Sequence, residues 1–177
     1  EQVIELAAPG VSTGLLGSAV QETIEASGLR PVANLTGHGI KRYDLHSGLS
    51  IPSVGGHRGT ALRKDDVIAV EPFATNGAGR VGGKRNSNIY HLGSPRRVRD
   101  SAAAELLEQV RGEFHGLPFA ERWLHAFSDE PRKPLQRLLR SGAVGFYPVL
   151  DELGHGMVAQ AEHTLLLTSG GVEVLTA

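Results

Sequence analysis

Two glutamates and two histidines in this sequence could do chemistry. Glu71 ends the apolar run Val67-Ile68-Ala69-Val70, and Glu162 stands inside the mostly apolar stretch from Met157 to Leu167. A strand that apolar is usually covered on both faces, and an ionised carboxylate there is costly unless it is paired or bound to a cation. The plainer alternative, that each glutamate marks a strand end or faces solvent, stays open at this level. His38 sits between Gly37 and Gly39, so little side-chain bulk screens its imidazole from a metal or a substrate; His46 stands in Leu45-His46-Ser47-Gly48. Both also read as simple turn histidines. Together, His38, Glu71 and Glu162 offer one imidazole and two carboxylates, a donor set suited to Mn, Fe, Co or Zn. His38 precedes Glu71 by 33 residues and Glu71 precedes Glu162 by 91, a spacing that says nothing of proximity. His57, His91, His115, His125 and His155 fall in loops or in a helical stretch, and no catalytic part is expected of them.

These groups need elements to hold them. Residues 1–8 read as the last turns of a helix stopped by Pro9-Gly10, and with no initiator Met the chain is expected to be a fragment. Leu16, Val20 and Ile24 recur every four residues, which predicts a helix from Val11 to Gly28, capped by Ser12 or Thr13. Asp66–Phe73 reads as a buried strand ended by proline, 76–88 as a loop, and Met157–Thr168 as the clearest strand. Strand is also expected from Tyr147 and over Val172–Leu175. Between the two glutamates the pattern turns helical. Asp100 or Ser101 caps a helix to about Phe114, a short one is expected over Phe119–Phe127 with Trp123 and Leu124 inward, and a third over Leu135–Arg140. Residues 94–141 thus read as a helical insertion in a domain made of 1–93 and 142–177.

Composition sets the outer limits. A chain of 177 residues, 40% hydrophobic and 21% charged, can bury a core and form one ordinary globular domain. The formal net charge of -1 suggests no specific nucleic-acid or membrane-surface partner. With no cysteine, disulfides and thiolate metal sites are excluded. No run of 18 apolar residues and no signal-peptide pattern is present, so no membrane is expected.

Longer blocks narrow the reading further. Asn34–Ile40 followed by Arg42–Gly48, Ala69–Thr75 with Gly77-Ala78-Gly79, Gly145–Leu150, and Met157–Thr164 resemble, in order and spacing, the segments of type II methionine aminopeptidases, and the stretches Leu117-Pro118-Phe119 and Arg122-Trp123-Leu124 resemble the archaeal form. The resemblance covers essentially the whole chain. It implies the C-terminal half of the α/β pita-bread (creatinase/aminopeptidase) fold, with the small helical insertion of type II members. It implies two divalent metal ions (Co, Mn, Fe or Zn) per complete enzyme, with His38, Glu71 and Glu162 as ligands and Glu162 bridging. Glu71 would also handle the proton of the metal-activated water, as a catalytic residue beside His46. His38, His46 and Tyr147 would contact substrate, the last as a lining residue or simply as a core tyrosine. His163, next to Glu162, is expected on the opposite face, and Gln160 on the face of Glu162 in a structural role.

The implied function is removal of the initiator methionine from nascent polypeptides, a hydroxide attacking the first peptide bond, in the cytoplasm. The family's two aspartate ligands lie in the N-terminal half, and the first aspartate here is Asp44, after His38. The missing half is therefore an expected partner, the ribosome a further candidate, and the chain alone is expected to be inactive. Two alternatives remain: a prolidase- or aminopeptidase P-like hydrolase, and a non-catalytic pita-bread protein that binds RNA or ribosomes.

Overall fold

Packing divides the chain into two units. The structure, a computed structural model, describes residues 1–94 and 97–176. One unit is Glu1–Gly82 with Leu150–Ala177, and the other is Gly83–Val149. The second takes in the expected helices together with the strands that flank them.

In the first unit, two helices lead into the sheet. Helix α1 (Gln2–Leu6) is short, and α2 (Thr13–Ala26) follows Pro9-Gly10. Ser12 starts α2 as anticipated, its hydroxyl accepting the Gly14 N–H at 3.2 Å, while Gly28 just beyond its end takes φ +73°. Leu16, Ala19 and Val20 face inward. The strands are β1 (Arg30–Pro31), β2 (Thr36–Gly39), β3 (Ser50–Pro52), β4 (Val67–Val70), β5 (Phe73–Thr75) and β6 (Val81–Gly82), and later β10 (Asp151–Glu152), β11 (Val158–Gln160), β12 (His163–Thr168) and β13 (Gly171–Val174). Five of them make an antiparallel sheet in the order β13-β12-β4-β2-β3. Its inner residues Ile51, Ile68, Val70, Leu165 and Leu167 pack with Leu16 and Val20 of α2. Each such buried side chain contributes about 1.5–3 kcal/mol. A smaller sheet has the order β1-β5-β11, and β6 pairs with β10.

Neither apolar run forms one continuous strand. Asp66–Phe73 breaks after Val70 and resumes as β5; Met157–Thr168 breaks at Ala161-Glu162 into β11 and β12. Each half goes to a different sheet: His163 lies opposite Val70 and Gln160 opposite Phe73. The two breaks therefore face each other, linked by Ala161 N–H donating to the Pro72 carbonyl at 3.3 Å. Pro72 has no N–H to continue a ladder, so the interruption is built into the sequence.

The second unit packs helices on a three-stranded antiparallel sheet. Strand β7 (Asn86–Leu92) lies between β8 (Phe119–Ala120) and β9 (Val144–Pro148), and the helices are α3 (Ser101–Phe114) and α4 (Arg132–Ser141). The start of β7 and all of β6 fall in the stretch expected to be loop. A register shift between Asn86 and Tyr90, with Asn88 at φ +63°, disrupts the alternation that would have announced a strand. The stretch 119–127 is likewise not one α-helix: Phe119 and Ala120 pair with β7, and Glu121–Ala126 form a 3₁₀ turn. Leu124 is buried as anticipated, but Trp123 points outward at 45% exposure. The indole stacks on Phe114, ring centroids 5.7 Å apart, because three residues per turn put neighbours 123 and 124 on different sides. Tyr90, Leu106, Leu107, Val110, Phe119, Leu124, Leu135 and Leu138 form this unit's core.

Charge is divided as well. The second unit carries eleven Lys and Arg against seven Asp and Glu, and the first seven against twelve, so the net charge of -1 hides two opposite fields.

Candidate metal centre

His38 occupies the middle of β2, opposite Ala69 of β4 and Ser50 of β3. The flanking glycines do not serve to bare the imidazole. A Cβ on Gly37 would collide with the Ala69 carbonyl, and one on Gly39 would come 2.7 Å from Ser47 Oγ, so both glycines let the neighbouring chain close in. The ring is then held at two points, with Nδ1 3.2 Å from the Gly39 carbonyl and Nε2 3.3 Å from Glu71 Oε1. If Nδ1 carries the proton that Gly39 accepts, the Nε2 lone pair faces a carboxylate oxygen, and the pair needs a proton or a cation between them.

Glu71 stands at the first strand break and Glu162 at the second, so the facing breaks bring together two carboxylates that are distant in sequence. Gln160 Nε2 joins them, donating to Glu71 Oε2 and to Glu162 Oε2, each at 3.2 Å. His46 follows β2 on a loop and meets the His38 ring edge-on, centroids 4.5 Å apart. His38, His46, Glu71 and Glu162 thus gather in one unit. Tyr147 belongs to the other, in β9, with its ring edge-on to His91 at 5.0 Å. His163 engages Thr176 Oγ1 at 3.3 Å instead of the cluster.

Burial raises the pKa of Glu71 above the ordinary carboxylate range; His38 opposes this, Glu162 adds to it, and the Gln160 hydrogen bond opposes it. The crowding of two carboxylates is thus a lesser cause than desolvation. For His46, partial desolvation and then the His38 ring lower the pKa, against Asp44, which raises it.

The donor types suit a first-row divalent ion, and His38 Nε2 with Glu71 Oε1 is a pair that a cation would satisfy. The set is nonetheless incomplete: among the described residues no group of three or more His, Asp or Glu side chains is arranged to hold a metal ion. Glu162 is tied to Glu71 through an amide. Beside this cluster lies a cavity of about 330 Å³, lined by Leu35, Phe73, Val81, Leu150 and Val158, with His46 and Glu71 also on its wall. Of its lining residues, Leu150 and Val158 are exposed.

Residues 1–169 match the sequence profile of metallopeptidase family M24. The chain belongs to that family. It is 40% identical to the methionine aminopeptidase of Archaeoglobus fulgidus and 41% identical to that of Methanocaldococcus jannaschii. Those alignments cover 99% and 98% of this M24 chain but 60% and 59% of the relatives. The chain therefore spans about three-fifths of the curated relatives it matches. Its fold is the α/β pita-bread fold of solved relatives. A thermophilic Arx1 superposes with a TM-score of 0.75 at 16% identity, over 92% of this chain and 45% of that one. The methionine aminopeptidase of Thermotoga maritima gives 0.58 at 23%, over 99% and 46%.

Three residues of this neighbourhood carried little sequence signal. Gln160 reads as a structural residue on the face of Glu162, and nothing local announces its contact with both carboxylates. Phe73 reads as ordinary strand. Glu152, 8% exposed, has as its one local signal the nearby Gly154 and Gly156, whose backbone N–H groups a glutamate can meet.

Proposed function

We propose that this protein acts in the metal-dependent removal of N-terminal methionine from nascent polypeptides in the cytoplasm. What carries the reading is the convergence of His38, Glu71 and Glu162 beside an apolar cavity of about 330 Å³. Such a cavity suits an apolar side chain, and the names of the archaeal relatives agree with methionine. His38, Glu71 and Glu162 would hold divalent ions of the Co, Mn, Fe or Zn class, with further donors supplied from outside this chain. When bound, such an ion supplies Lewis-acid activation of water and of the scissile carbonyl.

The remaining roles fall to the chain's own side chains. Glu71, with its carboxylate pKa raised by burial, would take a proton from the attacking water at one carboxylate oxygen and pass it toward the leaving amine. Gln160 holds the other oxygen and fixes the angle between the carboxylates. His46, close to His38 and with its pKa lowered by desolvation and by that ring, would hydrogen-bond the substrate carbonyl as it gains charge. The apolar wall of Leu35, Phe73 and Val158 would hold the methionine side chain and exclude water.

The test pairs binding with turnover. Co²⁺ should bind the chain weakly, and Glu71→Gln or Glu162→Gln should weaken it further, by at least the roughly 100-fold that loss of a residue merely orienting a ligand can cost. Alone, the chain should release no methionine from Met-Ala-Ser. Adding the separately produced remainder of the Archaeoglobus fulgidus relative should restore release, and Glu162→Gln should abolish it. Equal Co²⁺ binding by all three proteins would refute the ligand assignment, and cleavage of Xaa-Pro peptides in place of Met-Ala-Ser would indicate a prolidase.

A further inference from the structure

Strand β11 carries Gln160 and leads to Glu162, yet Val158, Ala159 and Gln160 are all exposed, and the strand pairs with β5 over three residues. Burial of one face normally specifies register, and a short exposed strand has no such constraint. A slip by two residues would carry Gln160 and Glu162 away from Glu71. Something else must hold the pairing of Val158 with Thr75 and Gln160 with Phe73.

Glu152 has the required position and reach. It lies in β10, anchored to β6 with Glu152 opposite Val81. Its carboxylate accepts the Gly79 N–H on Oε1 at 3.0 Å, and the Gly154 and Gly156 N–H groups on Oε2 at 2.6 and 3.0 Å. Gly79 belongs to the turn that follows β5; Gly154 and Gly156 belong to the turn that delivers β11. One carboxylate therefore ties the exit of the Glu71 segment to the entrance of the Glu162 segment. Asn76 adds a second tie, its Oδ1 accepting the Met157 N–H at 2.9 Å. Glycines let the turns close around these two side chains: a Cβ on Gly77 would collide with the Glu152 carboxylate, and one on Gly154 would come 2.8 Å from Ala78 N.

We infer that Glu152 is a positioning residue that sets the register of β11 on β5 and so holds Glu71 and Glu162 at the separation Gln160 bridges. Its effect on metal rests on the reading of those glutamates as donors. The Gly156 N–H foremost, opposed next by desolvation and then aided by the N–H groups of Gly154, Ala78 and Gly79, keeps the Glu152 pKa below the ordinary carboxylate range, in keeping with an ionised clamp.

Glu152→Gln in the full chain tests this, because it retains the size but turns an amide toward backbone donors. Backbone and side-chain amide NMR should show the Gly79, Gly154 and Gly156 resonances displaced and the Gln160 side-chain amide shifted. Far-UV dichroism and the remaining amide resonances of the first unit should report an intact fold. Co²⁺ affinity should fall roughly 10- to 100-fold, the range for loss of a residue that orients a ligand. Gly77→Ala, which pushes a methyl into the same carboxylate, should reproduce both effects, and it carries the test if Glu152→Gln does not fold. If Glu71→Gln and Glu162→Gln weaken Co²⁺ binding and the clamp variants do not, the positioning role is overturned and the donor reading stands. If none of the four changes Co²⁺ binding, the donor reading fails, and the Gln160 resonance decides the register role: shifted supports it, unmoved overturns it.

Discussion

Each unit contains a chain of polar contacts around a glutamate, and the two chains end differently. In the second unit Asn86 Nδ2 donates to Tyr90 Oη at 3.0 Å, Tyr90 donates to Glu121 Oε2 at 2.8 Å, and Arg132 Nε meets Glu121 Oε1 at 3.1 Å. That network closes: the carboxylate has a cation and a hydroxyl, and Tyr90 is buried at 2% exposure. In the first unit His46, His38, Glu71, Gln160 and Glu162 follow one another, and the far end, Gln160 and Glu162, is exposed. Two carboxylates there share a neutral amide. A closed network contributes to stability, whereas an open one with surplus negative charge is available to a ligand cation.

The largest effects should separate these roles. Phe119→Ala, in the core around Tyr90, should cost about 3–5 kcal/mol of unfolding free energy, read from denaturant titration of Trp123, the sole tryptophan. Glu71→Gln should change stability by less than about 1 kcal/mol while weakening Co²⁺ binding. Equal destabilisation by the two would mean that the open network is structural like the closed one.

Helix caps give an intermediate comparison. Ser12 accepts the Gly14 N–H and donates to the Arg58 carbonyl, and Ser12→Ala should cost about 1 kcal/mol. Asp100 accepts the Ala103 N–H and also pairs with Arg137, so Asp100→Ala should cost more than Ser12→Ala. The reverse order in urea melts would show that the ion pair adds nothing.

The smallest effects are pH dependences of opposite sign. Glu152 has its pKa lowered from 4.5, so its contribution is present above the unfolded value and lost as pH falls through the folded one. Acid melts should steepen below about pH 4.5, and Glu152→Gln should flatten that limb. Tyr90 has its pKa raised from 10.0, by burial first and then by the Glu121 hydrogen bond. Its contribution is full below the unfolded value and lost as pH rises through the folded one. Alkaline melts followed by Trp123 should fall above about pH 10, less so in Tyr90→Phe. An unchanged acid limb in Glu152→Gln would count against the ionised clamp.

Much of this protein was legible without coordinates. The periodicity of Leu16, Val20 and Ile24, the cap at Ser12 and the helix from Ser101 to Phe114 are local patterns, and the structure has them where propensity puts them. His38, Glu71 and Glu162 stand out by residue type and local surroundings, but the resemblance to a family, and not burial cost, names them as ligands, and Glu162 is in fact exposed at a strand break. Local pattern failed where pairing partners decide the outcome. Met157–Thr168 reads as one strand, since alternation cannot say which sheet each half will join. Trp123 reads as core, since an α-helical period was assumed over a 3₁₀ turn. Residue types and their spacing, together with the interruption at Pro72, were determined by the sequence itself. The meeting of Glu71 with Glu162, the amide of Gln160 between them and the grip of Glu152 on two distant turns were decided by tertiary structure. Each depends on which strand lies beside which, and that pairing is set by long-range packing across more than seventy residues of intervening chain.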